Sequence, residues 1–433
     1  MKESGVEWIG QIPEEWGVSK LEQYVDIFGR IGFRGYTTND IVNEGEGAIS
    51  YSPSNIIDYS VIDNNNTYIS WSKYDESPEI QIKTGDVLYV KTGSSYGKAG
   101  IVNNLSNKAT INPQLVVLKP KKNTDSRLIN YFLNSSVGKD QSELIVGGST
   151  IPTITQESIK KMIFPKMSFE EQQKIADFLD KKTAQLDKVK SLLEEQIQKL
   201  RGYRANLIYE TVTKGLDKTV PMKDSEIDWI GQVPEGWGVT KFKYLGDVKQ
   251  GLTYSPSDVV DKNEGILVLR SGNIQNGSLD FNNNVYVKTK VVESIVLRKN
   301  DILITARNGS PALIGKNAII DTDIKATFGA FMMVFRANKS LFAKFAYYLM
   351  NVSFSFYRTF FTTSTVNQLT AAIFNGIEVP LPSVSEQQRI ADFLDKKTVQ
   401  IDKLIQIKNQ QVKNIDKQRQ TLIYDYVTGK RRV

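Results

Sequence analysis

The sequence predicts an α+β protein with two β-rich mixed domains in a pseudo-two-fold arrangement, joined by two long antiparallel helices that form a coiled coil. WIGQIPEEWGV at 8–18 returns as WIGQVPEGWGV at 229–239, and EQQKIADFLDKKT at 171–183 returns as EQQRIADFLDKKT at 386–398. The stretches between these blocks have about equal length and a common hydrophobic pattern but little identity. The predicted segments are therefore a first domain at 1–168, a first long helix at 169–214, a second domain at 222–383 and a second long helix at 384–430.

Within each domain, the same order of elements is expected. Segments 83–93 and 298–309 read as strands that follow an Asp-containing turn, and segments 111–120 and 328–337 read as buried strands. Helical stretches follow, and polar loops then lead to the strand before each long helix. Hydrophobic positions correspond between the domains while polar ones do not, which indicates one scaffold carrying two surfaces. The helical stretches span 126–135 and 340–350, and the polar loops span 147–159 and 362–374.

The long helices are predicted from apolar residues repeated every seven positions, a pattern that requires a partner helix. Because the two copies are nearly equal in length and pattern, we expect them to pack on each other. Ser168 and either Ser383 or Ser385 are the expected N-caps, and about 40 residues make each helix roughly 60 Å long. Lys408 interrupts the second row. The rows are Leu179, Leu186, Leu193, Leu200 and Leu207, flanked by Val189, Ile197 and Tyr203, and then Leu394, Ile401, Ile415 and Leu422.

The repeat is also cyclic. LIYETVTKG at 207–215 precedes KDSEIDWIG, and LIYDYVTGK at 422–430 ends a chain that begins with KESGVEWIG. If the copies share a fold, the C-terminus and the N-terminus have the same relative positions in space as residues 214 and 223. We therefore expect a circular permutant opened near Lys218 to fold and to bind its ligand.

Composition excludes several kinds of chemistry. The chain has no cysteine and no histidine, which removes disulfides, thiolate zinc sites, cysteine nucleophiles and imidazole bases. We find no run of membrane-spanning length and no signal peptide, so we expect a cytoplasmic protein without a membrane partner. The net charge is +7, but much of the excess lies in 384–433, so charge alone is weak evidence for nucleic-acid binding.

The repeated motifs resemble the specificity subunit of type I restriction–modification systems. They are the WIGxxPxxW openings, LRSGNIQNGSLDF at 269–281, the EQQ-x-IADFLD helix starts and the VTKG and VTGK helix ends. The resemblance spans nearly the whole chain and implies a DNA-recognition subunit without catalysis, cofactor or metal of its own. It implies two methyltransferase subunits and restriction/translocase subunits as partners, with S-adenosylmethionine, ATP and magnesium bound on those partners.

Two different domains related by a two-fold axis would meet duplex DNA in opposite orientations. The expected target is therefore asymmetric and bipartite, with an unread spacer whose length the helices set. Half-sites on one face of B-DNA lie about 34 Å apart. One added heptad in both helices would lengthen the spacer by about three base pairs. The helices, and the matched Trp8, Trp16, Trp229 and Trp237, are candidate docking surfaces for methyltransferase subunits, although the tryptophans suit a domain core equally well.

Candidate DNA-binding residues combine basic, amide and small hydroxyl side chains in loops after strands, because these groups match base edges. LRSGN has no full match in the first domain, since Ser52 aligns with Arg270. Arg307→Ala is predicted to lose discrimination at one half-site only. The candidates are Arg30, Arg34, Tyr36, Lys91, Thr92, Ser94, Ser95, Tyr96 and Lys98 in the first domain, and Arg270, Asn273, Arg307, Asn308, Ser310 and Lys316 in the second.

Two other functions would each explain part of the sequence. An enzyme is disfavoured because the amino-methyltransferase signature is missing and Asn112-Pro113-Gln114 does not replace it. GSSYGKA at 93–99 is one residue short of a P-loop and has Ala99 where magnesium binding needs Ser or Thr. A coiled-coil scaffold without DNA affinity would explain the helices, but it would not explain two divergent domains.

Overall fold

A computed structural model of the chain describes residues 1–30, 35–147, 150–361 and 367–433. Its contacts divide the chain into two compact units. The first contains Met1–Glu194 and Asn409–Val433, and the second contains Glu195–Lys408. Each unit thus holds one β-rich domain together with part of each long helix.

The first domain contains a six-stranded and a four-stranded sheet. Buried Val and Leu side chains fill both faces of the central strands, as expected for strands enclosed within a fold. The six-stranded order is Val25–Gly29, Leu115–Pro120, Val87–Val90, Ala99–Ile101, Ser60–Val61, Ile56–Ile57, and the four-stranded order is Ala109–Ile111, Gly47–Tyr51, Thr67–Ser70, Ile41–Val42. Two-stranded pairs join Lys2–Glu3 to Gln11–Ile12 and Gly17–Lys20 to Ile163–Lys166, and the helices are Trp71–Asp75, Ser126–Asn134, Ser136–Ile145 and Gln156–Lys160.

The second domain repeats this arrangement with two four-stranded sheets. Their orders are Gly246–Gln250, Met332–Ala337, Ile302–Thr305, Asn317–Ile319, and Val259–Val260, Val285–Val287, Ile266–Leu269, Ala326–Phe328. Two-stranded pairs join Met222–Asp224 to Gln232–Pro234, Gly238–Lys241 to Glu378–Leu381, and Ile274–Gln275 to Ser278–Leu279; the helices are Ala343–Tyr357 and Ala371–Gly376. The predicted α+β class, with a repeated domain, is confirmed.

The strands predicted after Asp-containing turns form for the expected reason. The Asp86 carboxylate accepts a hydrogen bond from the backbone N–H of Lys83 at 2.8 Å, and Asp301 accepts one from Arg298 at 2.9 Å. Each turn leads into a central strand, Val87–Val90 or Ile302–Thr305. The carboxylate thereby satisfies a backbone donor that the strand ladder does not use.

The two long helices are continuous, from Phe169 to Lys214 and from Val384 to Val427. Ser168 caps the first helix, since its hydroxyl accepts from the N–H of Glu171 at 3.2 Å. Ser383, rather than Ser385, caps the second through the N–H of Glu386 at 3.3 Å.

In each unit, the helices run antiparallel. In the first unit, Lys190 pairs with Asp416 at 2.9 Å and Asp187 pairs with Arg419 at 3.2 Å. In the second unit, Arg204 pairs with Asp402 at 2.9 Å, and Lys408 donates to the side chain of Gln196 at 2.5 Å. The partner's number falls as the residue's number rises, which confirms the predicted direction.

The repeated apolar row lies at this helix contact, and Leu179, Leu394 and Ile401 are buried. In the flanking row, Ile197 is buried, whereas Val189 and Tyr203 are 44% and 56% exposed. One partner helix covers only a narrow stripe of an α-helix. Apolar side chains therefore remain at the surface of the helices.

The matched tryptophans belong mainly to the domain cores. Trp16, Trp229 and Trp237 are at most 4% exposed, and Trp8 packs against the first core while only partly buried. The Nε1–H of Trp237 donates to Glu386 at 3.1 Å, which ties the opening motif to the start of the second long helix. Burial of these rings favours the core interpretation over a docking surface.

Within the described ranges, no helix is both long and apolar enough to cross a bilayer.

Candidate nucleic-acid interface

The second domain contains a cleft of about 1250 Å³ at the carboxyl ends of two strands. Arg270 follows the strand Ile266–Leu269, and Arg307 and Asn308 follow the strand Ile302–Thr305. The loop before Met332–Ala337 contributes Phe331. The fold thus brings three of the predicted residues, Arg270, Arg307 and Asn308, to one site.

The cleft is cationic and otherwise largely apolar. Arg270 and Arg307 are exposed, and none of the described lining residues is acidic. In the part of the chain that the structure describes, neither guanidinium forms an ion pair, and the Arg270 guanidinium donates to the carbonyl of Asn283 at 3.2 Å. Two unneutralised cations beside apolar walls suit a ligand that carries both phosphates and flat base edges.

Backbone contacts hold the Arg307 loop in place. The N–H of Arg307 donates to the carbonyl of Phe331 at 3.0 Å, and a β-bridge joins Arg307 to Gln368. The side-chain oxygen of Asn308 accepts from the N–H of Ser310 at 3.0 Å. The Asn308 amide is therefore engaged in shaping the loop, whereas the Arg307 guanidinium projects from a fixed backbone.

Asn273 braces a turn instead of facing a ligand. It is 1% exposed, its oxygen accepts from the N–H of Arg270 at 2.9 Å, and its amide donates to the carbonyl of Asp280 at 2.9 Å. Asn55 has the same role in the first domain, where its side-chain oxygen accepts from the N–H of Ser52 at 2.9 Å. Burial of the Asn273 amide therefore argues against the predicted contact with DNA.

Lys316 is also committed within the protein. Its Nζ donates to the carbonyl of Ser271 at 3.3 Å, and burial lowers its pKa below the ordinary lysine value. It does not line the cleft. Lys316 ties the strand-following loop to the Arg270 turn, which positions the arginines.

The predicted cluster of the first domain is less open. Thr92 forms a β-bridge with Thr153, and Lys91 is half-buried with a pKa that burial lowers. Tyr96 packs against the domain core. Ser94 and Ser95 are exposed, and Lys98 is partly so. Small hydroxyls thus form most of the free surface of this cluster.

Arg30 is 5% exposed, and its guanidinium donates to the carbonyl of Ile111 at 3.1 Å and to the Thr110 hydroxyl at 3.2 Å. Burial lowers its pKa, and the ring of Tyr36 lies 5.4 Å from the guanidinium carbon. These hydrogen bonds hold Arg30 inside the domain and argue against its predicted contact with DNA. Arg34 lies outside the described residues.

The structure adds residues that the sequence did not indicate. Phe331 is 65% exposed inside the cleft, and Gln114 is the exposed residue at the matching loop of the first domain. The only available signal was the alignment of INPQLVV with FGAFMMV, in which an amide and an aromatic residue occupy the same place. A phenylalanine in an apolar stretch predicts a core residue, so the sequence did not indicate that Phe331 lies at the cleft.

A repeated β-rich scaffold that presents different polar surfaces beside long paired helices defines a protein with two separate recognition domains. The chain belongs to the family described as the type I restriction modification DNA specificity domain, whose model matches residues 13–199 and 234–415. This membership identifies a DNA-specificity protein and favours that function over a scaffold without DNA recognition.

Known specificity subunits are similar to the chain. The type I restriction enzyme EcoKI specificity subunit of Escherichia coli (strain K12) is 31% identical over 208 residues, which are 46% of this chain and 44% of that protein. The chain thus aligns with less than half of that relative. The putative MjaX specificity subunit of Methanocaldococcus jannaschii is 25% identical over 436 residues, or 98% of this chain and 96% of that protein.

Solved structures share the fold. A chain described under "Structural basis underlying complex assembly and conformational transition of the type I R-M system" has a TM-score of 0.75 at 15% identity, covering 96% of this chain and 98% of that one. The HsdS subunit from Thermoanaerobacter tengcongensis has a TM-score of 0.54 at 14% identity, covering 97% and 98%. At these identities the likeness concerns the fold alone.

Proposed function

We propose that this protein reads an asymmetric, bipartite DNA site, with one half-site for each domain. The observation that carries the proposal is one backbone scaffold with different residues at equivalent ligand-facing positions. Thr92 and Arg307 each donate a backbone N–H to the following loop and form one β-bridge, but one presents a hydroxyl and the other a guanidinium. Different groups on one scaffold would select different base sequences.

The role of the protein is recognition without catalysis of its own. Methylation and cleavage would belong to partner subunits, which would bind S-adenosylmethionine, ATP and magnesium. We place this work in the cytoplasm, where the DNA target of such a system lies.

The long helices would dock two methyltransferase subunits, and restriction/translocase subunits would join that complex. Exposed apolar side chains support this part of the proposal. Val189 and Leu192 are 44% and 47% exposed on the first helix, and Leu404 and Ile407 are 47% and 46% exposed on the second. Exposed apolar groups along a helix are typical of a surface that a partner covers.

The test is selection from a pool of randomised duplexes by the chain reconstituted with its methyltransferase subunits. A split motif with two different halves is expected. Enrichment of a single continuous motif, or of none, would refute the bipartite site.

Arg307→Ala is expected to relax discrimination at one base pair of one half-site, because the guanidinium lies free at the cleft. The expected cost is about 1–3 kcal/mol of discrimination. Arg298→Ala is the matched control, since Arg298 lies outside the cleft and pairs with Glu293 at 3.4 Å. A uniform loss of affinity across all sequences would instead assign Arg307 to phosphate contact.

A further inference from the structure

One loop residue occupies the same position in both domains, and we name it the tip: Gln114 in the first domain and Phe331 in the second. The carbonyl of Gln114 accepts from the N–H groups of Lys91 and Thr92 at 2.9 and 3.3 Å. The carbonyl of Phe331 accepts from those of Ala306 and Arg307 at 2.9 and 3.0 Å. Two bonds to one carbonyl fix the backbone of each tip.

The same turn precedes both tips. The N–H of Leu115 donates to the carbonyl of Asn112 at 3.2 Å, and that of Met332 donates to the carbonyl of Gly329 at 2.8 Å. The two backbones therefore match residue by residue around the tip. Only the side chain changes, from an amide to an aromatic ring.

In the second domain, the close approach of two backbones supports the tip. A Cβ added to Gly251 would lie 2.1 Å from the carbonyl oxygen of Gly329. Glycine at 251 is therefore required for the strands to meet here, and the meeting places Phe331 at the cleft. The tip is part of a packed framework rather than a free loop.

Phe331 is 65% exposed, although apolar side chains of this size are normally covered. It shares the cleft with Arg270 and Arg307, which are cationic, and with no described acidic residue. A ligand for this position must offer an apolar group close to negative charge. In duplex DNA, the 5-methyl group of thymine in the major groove meets that requirement.

Hydrogen bonds orient the side-chain amide of Gln114 for a ligand that offers a donor and an acceptor side by side. The Nδ2 of Asn112 donates to the Oε1 of Gln114 at 3.1 Å, and the Oδ1 of Asn112 accepts from the N–H of Gln114 at 3.0 Å. This pair fixes the amide plane and leaves its N–H₂ group pointing away from Asn112. Adenine presents an acceptor and a donor side by side in the major groove, which match a glutamine amide.

We propose that the tip is a specificity-determining position in each domain, where Gln114 reads an adenine of one half-site and Phe331 contacts a thymine methyl group of the other. The inference rests on the proposed function and deepens it. It assigns base discrimination to a matched pair of residues, so each change should affect one half-site and leave the other intact.

The first experiment is selection from randomised duplexes with the reconstituted methyltransferase complex. Gln114→Ala is expected to lose about 5- to 100-fold of preference at one adenine of one half-site. Phe331→Ala is expected to lose about fourfold at one thymine of the other, the effect of one methyl group. Gln114→Glu should shift the preference from adenine towards cytosine, whose amino group suits a carboxylate.

The controls are matched in type and exposure. Phe281→Ala removes a ring that is 45% exposed outside the cleft, and Gln23→Ala removes an exposed amide elsewhere in the first domain. Both should leave the selected motif unchanged. Since the two tip side chains are exposed, circular dichroism and the melting temperature should match those of the unaltered protein.

Atomic changes in the DNA provide the second experiment. Replacing the selected thymine with uracil removes only the methyl group, and should weaken binding by the unaltered protein but not by Phe331→Ala. Replacing the selected adenine with 7-deazaadenine removes N7, and should weaken binding by the unaltered protein but not by Gln114→Ala.

The outcomes separate the two proposals. If the unaltered protein selects no motif, the proposed function fails. If it selects a bipartite motif that both tip variants retain, the tip proposal alone is overturned. The same holds if uracil and 7-deazaadenine weaken DNA binding equally in the variant and the unaltered proteins.

Discussion

At the scale of single residues, Asp86 and Asp301 occupy equivalent positions but have different surroundings. Asp301 accepts two hydrogen bonds from the Arg336 guanidinium, both at 2.7 Å, and raises the pKa of Arg336. Among the described residues, Asp86 has no such ion-pair partner, because Lys119 instead donates to the carbonyl of Gln81 at 2.7 Å. Burial raises the pKa of Asp86 above the ordinary aspartate value.

Asp301→Asn is therefore expected to lower the free energy of unfolding by about 1.5–3 kcal/mol, the worth of a hydrogen bond to a charged group. Asp86→Asn is the matched control and should cost less at neutral pH, since an amide oxygen can still accept from Lys83 and no buried charge is left behind. Urea unfolding at pH 7 measures both. Equal losses would contradict the distinction between a paired and an unpaired carboxylate.

The pH dependence of Asp86 has a definite sign. A carboxyl whose pKa is higher in the folded state binds protons more tightly there than in the unfolded chain. Its contribution to stability is therefore largest at low pH and is lost as the pH rises through the folded-state pKa. Asp86→Asn should remove this component from the pH profile of unfolding.

Residue-scale predictions from sequence were uneven for a physical reason. Arg307 is free at the cleft, but Arg30 and Asn273 are buried and satisfy backbone groups of their own domain. Arginine and asparagine serve equally well as ligands for DNA and as partners for buried carbonyls. Sequence indicates the residue type, but only the surroundings decide between those uses.

At the scale of elements, the long helices were the most predictable part of the chain. Their seven-residue period and their serine caps are local features, and both lie within the helix itself. The exposure of Val189 and Tyr203 was less predictable, because it depends on how much of each helix a partner covers. Their exposure leaves an apolar surface that the proposed methyltransferase docking would use.

The role of the helices as a ruler stays a prediction. Inserting seven residues after Gln196 and seven after Lys408 places the additions opposite each other, since these side chains are hydrogen-bonded. One heptad adds about 10 Å of helix, so the unread spacer should lengthen by about three base pairs. Selection from randomised duplexes measures the spacer.

A four-residue insertion at the same two places is the control, because it breaks the seven-residue spacing of the apolar row. That variant should melt at a lower temperature. A heptad variant that folds but keeps the original spacer would show that the helices do not set the half-site separation.

At the scale of the whole molecule, the cyclic repeat has a structural counterpart within the first unit. The Nζ of Lys430 donates to the carbonyls of Ile9 and Gln11 at 2.9 and 2.6 Å. The segment directly after the second helix, which ends at Val427, therefore packs on the opening motif of the first domain. In the second unit, Gly215 at the end of the first helix lies beside Trp237, as Gly429 lies beside Trp16 in the first unit.

A permutant opened near Lys218, with the original ends joined by a short flexible linker, is expected to fold and to select the same DNA motif. Lys218 lies in an exposed connection, so cutting there removes no buried contact. A permutant opened at buried Leu303 is the control and should not fold. Insolubility of the Lys218 permutant with linkers of several lengths would argue against a cyclic repeat.

The sequence by itself determined the repeated α+β organisation, the two long helices and the family, because repeats, periods and caps are written along the chain. Only the tertiary structure decided which polar residues reach a ligand. Strand pairing brings Arg270, Arg307 and Phe331 into one cleft and buries Asn273 beside them. These residues are distant in sequence, and their exposure depends on which backbones meet, a property that no local pattern encodes.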